Sequence, residues 1–142
     1  MTGIKNEDLY QDAIIEWSKK TAHADHLEDP DKKGTASNPL CGDQVTVELR
    51  MEDRIIRSMA VEVRGCILCK ASGCHLAEFA EGLTLDKIKM IRHDLENTLR
   101  SADDLLPGLP EGLRMFLPVR PHKSRHACVL LPYDAVINAA SR

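Results

Sequence analysis

The spacing of apolar residues predicts a helix near the start of the chain. In Asn6–Lys20 apolar side chains recur three and four residues apart, which places them on one helical face. These side chains are Leu9, Tyr10, Ala13, Ile14 and Trp17. Acidic residues open the segment and two lysines close it, as the helix macrodipole favours. We therefore expect an amphipathic helix that docks on the rest of the fold.

A change of period predicts a β-hairpin in the middle of the chain. Apolar and polar residues alternate in Gln44–Met51, and the alternation resumes in Ile55–Val63 after a turn near Asp53. The preceding stretch, Thr21–Pro39, has no period and is rich in turn-forming residues, so we expect an irregular loop there.

Helical spacing returns after Gly65. One helix is expected from Cys66 to about Glu81, and a second is expected over Thr84–Arg100. Because each has an apolar stripe, we expect both helices to cover the sheet.

The last third of the chain is rich in proline. Four prolines in Leu105–Ser124 predict a linker or a short helix, and a final helix should end near Ala140. Pro132, four residues after Cys128, requires either that Cys128 lies in the first turn or that the helix is kinked. The pattern as a whole predicts one α/β (α+β) domain over residues 1–142, a small antiparallel sheet covered by helices.

Composition narrows the classes of function. The 142 residues are 43% hydrophobic with a formal net charge of −3, so no basic field favours nucleic acid or a membrane surface as a partner. The N-terminus lacks the apolar core of a secretion signal, and no stretch approaches the roughly 20 apolar residues of a membrane span. We therefore expect a cytoplasmic protein, whose five cysteines would serve metal or sulfur chemistry rather than structural disulfides.

Three cysteines lie in settings suited to a shared site. Cys41 belongs to Asn-Pro-Leu-Cys-Gly-Asp, Cys66 follows a glycine at the strand-to-helix junction, and Cys128 ends Arg-His-Ala-Cys. The positive end of the predicted helix favours a thiolate at Cys66. Gly42 leaves the backbone free to turn the Cys41 thiol and the Asp43 carboxylate toward one centre. Three thiolates and a carboxylate would complete a four-ligand metal shell.

These motifs resemble those of the iron–sulfur scaffold family of IscU, SufU and NifU N-terminal domains, and the extra residues before the last cysteine are most similar to the SufU branch. The resemblance implies that Cys41, Asp43, Cys66 and Cys128 bind zinc or a transient [2Fe-2S] cluster, with Arg125 as the neighbouring basic residue. It also implies a cysteine desulfurase that delivers sulfur as a persulfide, and downstream iron–sulfur apoproteins or assembly proteins as further partners. Cys41 or a neighbouring thiolate would accept the sulfur. The chain would then be a scaffold protein or a zinc-dependent sulfurtransferase.

Several residues depart from the family pattern. Cys69 lies three residues after Cys66 on nearly the same helical face, so it could join the site or simply fill the core. Cys74 lies about 12 Å along the helix axis from Cys66 and is expected to be a small core residue. His75 stands where the family tends to have an apolar residue. His126 is shifted by one residue from the histidine of IscU proteins, so it could be a ligand or proton carrier, although an exposed residue at the helix start is the simpler expectation.

Three alternatives remain open at this stage. The pair Cys66 and Cys69 has the Cys-x-x-Cys spacing of thiol–disulfide redox proteins. A zinc ion bound by the same four residues could serve only to stabilise the fold. The chain could also be an interaction module that keeps a relic of the site.

Overall fold

The computed structural model describes residues 6–20, 26–102 and 104–141. Within these ranges three antiparallel strands form one sheet in the order β1-β2-β3. The strands are β1 (Lys32–Asn38), β2 (Asp43–Glu52) and β3 (Ile55–Arg64). The α-helices are α1 (Asn6–Ser18), α2 (Ile67–Ala80), α3 (Leu85–Arg100) and α4 (Lys123–Ala140), and a 3₁₀ helix (Glu111–Val119) precedes α4. The predicted α+β class is confirmed.

The predicted hairpin is present as β2 and β3. Val47 lies opposite Val61 in its register, and both side chains are buried. Asp53 and Arg54 form the connecting turn with φ angles of 53° and 67°. Two successive left-handed residues are typical of the tight turns whose twist matches that of a hairpin.

The first strand corrects the sequence prediction. An irregular loop was expected over Thr21–Pro39, but β1 occupies its second half and pairs with β2, while residues 21–25 lie outside the described residues. The strand was missed because its core-facing positions carry Gly34 and Ala36 rather than large apolar residues. Their small size has a packing reason. A Cβ atom on Gly34 would lie 2.6 Å from the Cα atom of Ala139 in α4, so only glycine allows this approach of strand and helix.

The helices cover one face of the sheet unequally. Helix α4 packs across β1 and β2, and α2 packs across β3 and against α4. Helix α3 was expected to cover the sheet, but it packs chiefly on α4 and the 3₁₀ helix. The Arg92 guanidinium of α3 donates a 2.6 Å hydrogen bond to Asp134 Oδ1 of α4. Helix α1 docks on α2 and the 3₁₀ helix with Ile14 buried, as its amphipathic pattern predicts. No helix in the described ranges has the length and apolar character needed to cross a bilayer.

Helix α4 continues through Pro132. Cys128 lies in its second turn, which rules out the first of the two alternatives for Pro132. Because proline has no amide hydrogen, the Cys128 carbonyl has no donor at the usual position four residues later.

Candidate metal centre

Two strand ends and a helix start meet at one edge of the sheet. Cys41 lies in the turn from β1 to β2, Asp43 is the first residue of β2, and Cys66 caps the N-terminus of α2 directly after β3. Antiparallel pairing of Gln44 with Arg64 brings the start of β2 beside the end of β3. The sheet register therefore juxtaposes residues that are more than twenty positions apart in sequence.

The four residues that the sequence analysis names as ligands come together at this edge. Potential ligand atoms of Cys41, Asp43 and Cys128 all lie within 4.8 Å of one another. Cys66 joins the group through the aspartate, because its thiol lies 3.4 Å from Asp43 Oδ2 and its amide donates a 3.2 Å hydrogen bond to Oδ1. The Asp43 carboxylate thus interacts with all three thiols of the site.

A tight turn presents the Cys41 thiol. The Asn38 carbonyl accepts hydrogen bonds from the amides of Cys41 at 3.3 Å and Gly42 at 2.8 Å, and the Asn38 side chain accepts one from the Leu40 amide at 3.0 Å. Gly42 has φ +79°, a conformation that suits glycine, as the sequence analysis anticipated. Cys41 is exposed at this turn, whereas Asp43 and Cys128 are buried.

Gly65 makes room for the Asp43 carboxylate. A Cβ atom added to Gly65 would overlap Asp43 Oδ1 and would lie 2.6 Å from Asp43 Cγ. In the sequence Gly65 marks only the junction of strand and helix, and this role was not predicted. A glycine directly before a candidate ligand was the one signal available.

We expect the Gly65→Ala substitution to displace the Asp43 carboxylate and to weaken zinc binding by at least about tenfold, the size of effect seen when groups that orient ligands are lost. A competition titration with a chromophoric chelator measures this change. Gly73→Ala is the matched control, because the atoms nearest to its added Cβ would be side-chain carbons of Val63, Val61 and Pro132 rather than atoms of a candidate ligand. Equal zinc affinity of the two variants would contradict the role given to Gly65.

The electrostatics of the site favour a bound cation. Burial raises the pKa of Asp43, but hydrogen bonds from the thiols of Cys128, Cys66 and Cys41 and from the Cys66 amide outweigh it, and the pKa lies below its usual value. Burial and the neighbouring Cys66 and Asp43 raise the pKa of the Cys128 thiol. A metal ion would replace the thiol protons and balance the charge of the resulting thiolates and of the Asp43 carboxylate, so the donor set fits a thiophilic cation.

The two extra cysteines have different surroundings. Cys69 is fully buried beneath the site, and burial raises the pKa of its thiol well above the ordinary value. Of the two readings left open for Cys69, the structure favours the core. Cys74 is half-buried and its thiol lies 3.5 Å from the Lys20 carbonyl, so the prediction of a buried core residue is wrong.

The remaining candidates lie beside the site rather than in it. Arg125 is exposed on α4 and lines a groove of about 520 Å³ together with Cys66 and the neighbouring Ile67. The half-buried His126, expected to be exposed, has its Nε2 atom 3.0 Å from the Arg120 carbonyl. That contact engages His126 with the chain before α4 and not with the four candidate ligands.

Fold and site together define a small α+β domain with a cysteine–carboxylate centre at one sheet edge. Residues 9–138 match the family model described as the NifU-like N terminal domain. The chain belongs to this family, as the sequence motifs suggested.

The proteins and structures to which the chain is similar carry the names IscU, NifU and SufU. The chain is 27% identical over 103 residues to iron-sulfur cluster assembly scaffold protein IscU 1 of Archaeoglobus fulgidus, a match over 72% of this chain and 63% of that protein. A crystal structure of an N-terminal NifU-like protein from Brucella abortus is similar with a TM-score of 0.86 and 32% identity, over 95% of this chain and 94% of that one. A structure described as a putative SUF-system scaffold (FiSufU) from Fervidobacterium islandicum shares the fold, with a TM-score of 0.83 and 23% identity over 96% and 99% of the two chains.

Proposed function

We propose that this chain is an iron–sulfur cluster assembly scaffold that holds a transient [2Fe-2S] cluster through Cys41, Asp43, Cys66 and Cys128. The observation that carries the proposal is the convergence of three of these side chains within 4.8 Å, with Cys66 tied to them through Asp43. Three thiolates suit iron–sulfur centres, and the harder carboxylate binds them less tightly. One weaker ligand suits a protein that must release the cluster.

Cys41 is the best-placed acceptor of sulfur. It is the exposed thiol of the site, at the tip of a turn, where the persulfide of a cysteine desulfurase can reach it. The Cys41 thiolate would attack the terminal sulfur of that persulfide, form a new S–S bond on Cys41 and release the donor cysteine as a thiolate. Reduction of the transferred sulfur to sulfide then takes two electrons, which a thiol reductant can supply. Arg125, beside Cys66, would offset the negative charge of the loaded site.

Apolar side chains beside the ligands support a protein partner at this edge. Leu40, next to Cys41, is 96% exposed, and Ile67, next to Cys66, is 45% exposed. Large apolar side chains flanking a reactive site are typical of surfaces that a partner covers. The partners proposed are a cysteine desulfurase and the downstream apoproteins that receive the cluster. The cytoplasmic location stays a prediction.

A zinc-bound sulfur carrier is the second candidate, because the same ligands suit zinc. A purely structural zinc is disfavoured by the spread of the candidate ligands over about ninety residues, since structural zinc sites usually take their cysteines from close Cys-x-x-Cys pairs. The redox alternative is disfavoured by the full burial of Cys69, because a thiol that must exchange with a substrate disulfide has to be accessible.

The test is reconstitution without air. Full-length chain is incubated with ferrous iron, cysteine, a cysteine desulfurase and a thiol reductant, and iron, acid-labile sulfide and zinc per chain are measured before and after transfer to an apo-ferredoxin. We expect iron with matching sulfide, and cluster transfer to the apo-ferredoxin. About one tightly held zinc that iron does not displace, with faster desulfurase turnover, would instead establish a zinc-dependent sulfur carrier. Absence of both metals, with a reversible disulfide between Cys66 and Cys69, would establish the redox protein.

A further inference from the structure

A buried hydrogen bond joins the two helices that bring Cys66 and Cys128 to the site. The Ser72 hydroxyl of α2 donates to the Val129 carbonyl of α4 at 2.5 Å, and both residues are fully buried. Val129 directly follows Cys128, and Ser72 lies in the helix that Cys66 caps. The bond therefore connects the helix that starts at one candidate ligand with the residue beside another.

The partner of the Ser72 hydroxyl is unusual for a serine within a helix. Such a serine commonly faces water or donates to a carbonyl three or four residues earlier in its own helix. Ser72 lies in the middle of α2, is buried, and donates across to α4 instead. A hydrogen bond between two helices restricts their relative position, whereas a bond within one helix does not.

Helix α4 lacks one of its own hydrogen bonds beside Cys128. Pro132 has no amide hydrogen to donate to the Cys128 carbonyl, and the ring of a proline inside a helix crowds the carbonyl four residues earlier. The turn that carries Cys128 is therefore held less firmly by its own helix than an uninterrupted turn would be. The Ser72 hydroxyl binds the next carbonyl along this turn, that of Val129.

The Cys128 thiol has to reach a site that other elements form. Its sulfur lies within 4.8 Å of the ligand atoms of Cys41 and Asp43, which belong to the β1–β2 turn and the start of β2. Packing between α2 and α4 next to Ser72 is of ordinary closeness, because a Cβ atom added to Gly73 would lie 3.7 Å from Pro132 Cγ. A hydrogen bond depends on direction as well as distance, so it limits rotation of α4 more sharply than such contacts do.

We propose that Ser72 is a positioning residue, which holds the Cys128 thiol at ligand distance by anchoring the Cys128 turn of α4 to α2. This role rests on the proposed function, in which Cys128 is a ligand. Groups that orient a metal ligand typically contribute about ten- to a hundredfold to metal affinity. We expect the lower end of that range, because Ser72 acts through the backbone next to the ligand.

The test uses cobalt(II) in place of zinc on the reduced full-length chain, because both ions accept thiolate ligands. Thiolates bound to cobalt give a charge-transfer absorption that increases with their number. Ser72→Ala should weaken cobalt binding about tenfold and lower the absorption per bound cobalt toward the value of Cys128→Ser. Alanine is the strongest helix former and fills nearly the same space, so the variant should fold, which circular dichroism checks.

Thr98→Val is the matched control. The buried Thr98 hydroxyl donates to the Asp94 carbonyl at 2.8 Å within α3, so valine removes a comparable hydrogen bond outside the helices that carry Cys66 and Cys128. This variant should bind cobalt as the unaltered chain does and give the same absorption.

Unchanged affinity and absorption in Ser72→Ala, or an equal loss in Thr98→Val, would overturn the positioning role while Cys128→Ser still loses absorption. The scaffold function would then stand without a role for Ser72. Full absorption in Cys128→Ser would instead show that Cys128 is not a ligand, and the proposed ligand set would fail together with the role of Ser72.

Discussion

Serine in place of Cys128 is expected to weaken cluster binding by at least about 100-fold, and the reconstituted chain should therefore hold little iron and sulfide. This loss is larger than that expected when a group that only orients a ligand is removed. Cys128 is 1% exposed, and its thiol interacts with both Cys66 and Asp43. A serine hydroxyl does not ionise near neutral pH and is a hard oxygen donor, so it cannot replace a thiolate at an iron–sulfur centre. The measurement is iron and acid-labile sulfide per chain after anaerobic reconstitution.

Cys74→Ser controls for the loss of a thiol as such. Cys74 lies in α2 outside the site and contacts the Lys20 carbonyl, so the variant should bind as much cluster as the unaltered chain. Circular dichroism of both variants shows whether the fold persists. If the folded Cys128→Ser chain retained the same iron and sulfide as Cys74→Ser, Cys128 would not be a ligand and the proposed scaffold site would have to be redrawn.

The candidate site could be named from the sequence only through its motifs. Cys41 and Cys128 are 87 positions apart, and no spacing rule brings such residues within ligand distance of each other. The pairing of β1 with β2 and the packing of α4 across both strands bring them together. The alternation that predicted the hairpin therefore positioned Asp43 and Cys66, whereas the place of Cys128 depended on family resemblance.

The errors in the fold have a common physical cause. The periodicity of a sequence shows where large apolar side chains recur. It gives no signal at positions where close packing of the backbone requires a small residue. β1 was missed because its core-facing residues Gly34 and Ala36 are small, and Gly34 meets the backbone of α4. α3 was expected on the sheet because an apolar stripe does not show which element it packs against. The same limit hid Gly65, whose missing side chain creates the space for the Asp43 carboxylate.

His75 was noted in the sequence only as a departure from an apolar position, and the structure gives it a physical consequence. It is 5% exposed, packs edge-on against Trp17 with ring centroids 4.9 Å apart, and touches Phe79. Its Nδ1 atom has no hydrogen-bond partner among the described residues. Burial lowers the pKa of His75 to about 4, with Glu78 opposing and Lys20 reinforcing that shift, so the buried ring is neutral near pH 7.

We expect His75 to make the fold acid-sensitive between pH 6.5 and about 4. In that window the unfolded chain binds a proton at this histidine and the folded chain does not, so the free energy of unfolding falls as the pH falls. The pKa difference corresponds to a loss of about 3 kcal/mol by pH 4. His75→Leu fills a similar volume and cannot be protonated, so its stability should decline less steeply over this range.

Urea unfolding at pH 7.5, 6.5, 5.5 and 4.5 measures the effect as the difference between the two curves, because the carboxylates titrate alike in both proteins. His93→Leu is the matched control, since His93 is exposed on α3. It should follow the unaltered chain.

Parallel curves for all three proteins would show that His75 gains a proton as readily in the folded chain as in the unfolded one. Its burial between α1 and the 3₁₀ helix would then have no electrostatic consequence. If only the His75→Leu curve departs from that of the unaltered chain, the acid sensitivity of the fold is due to protonation of His75.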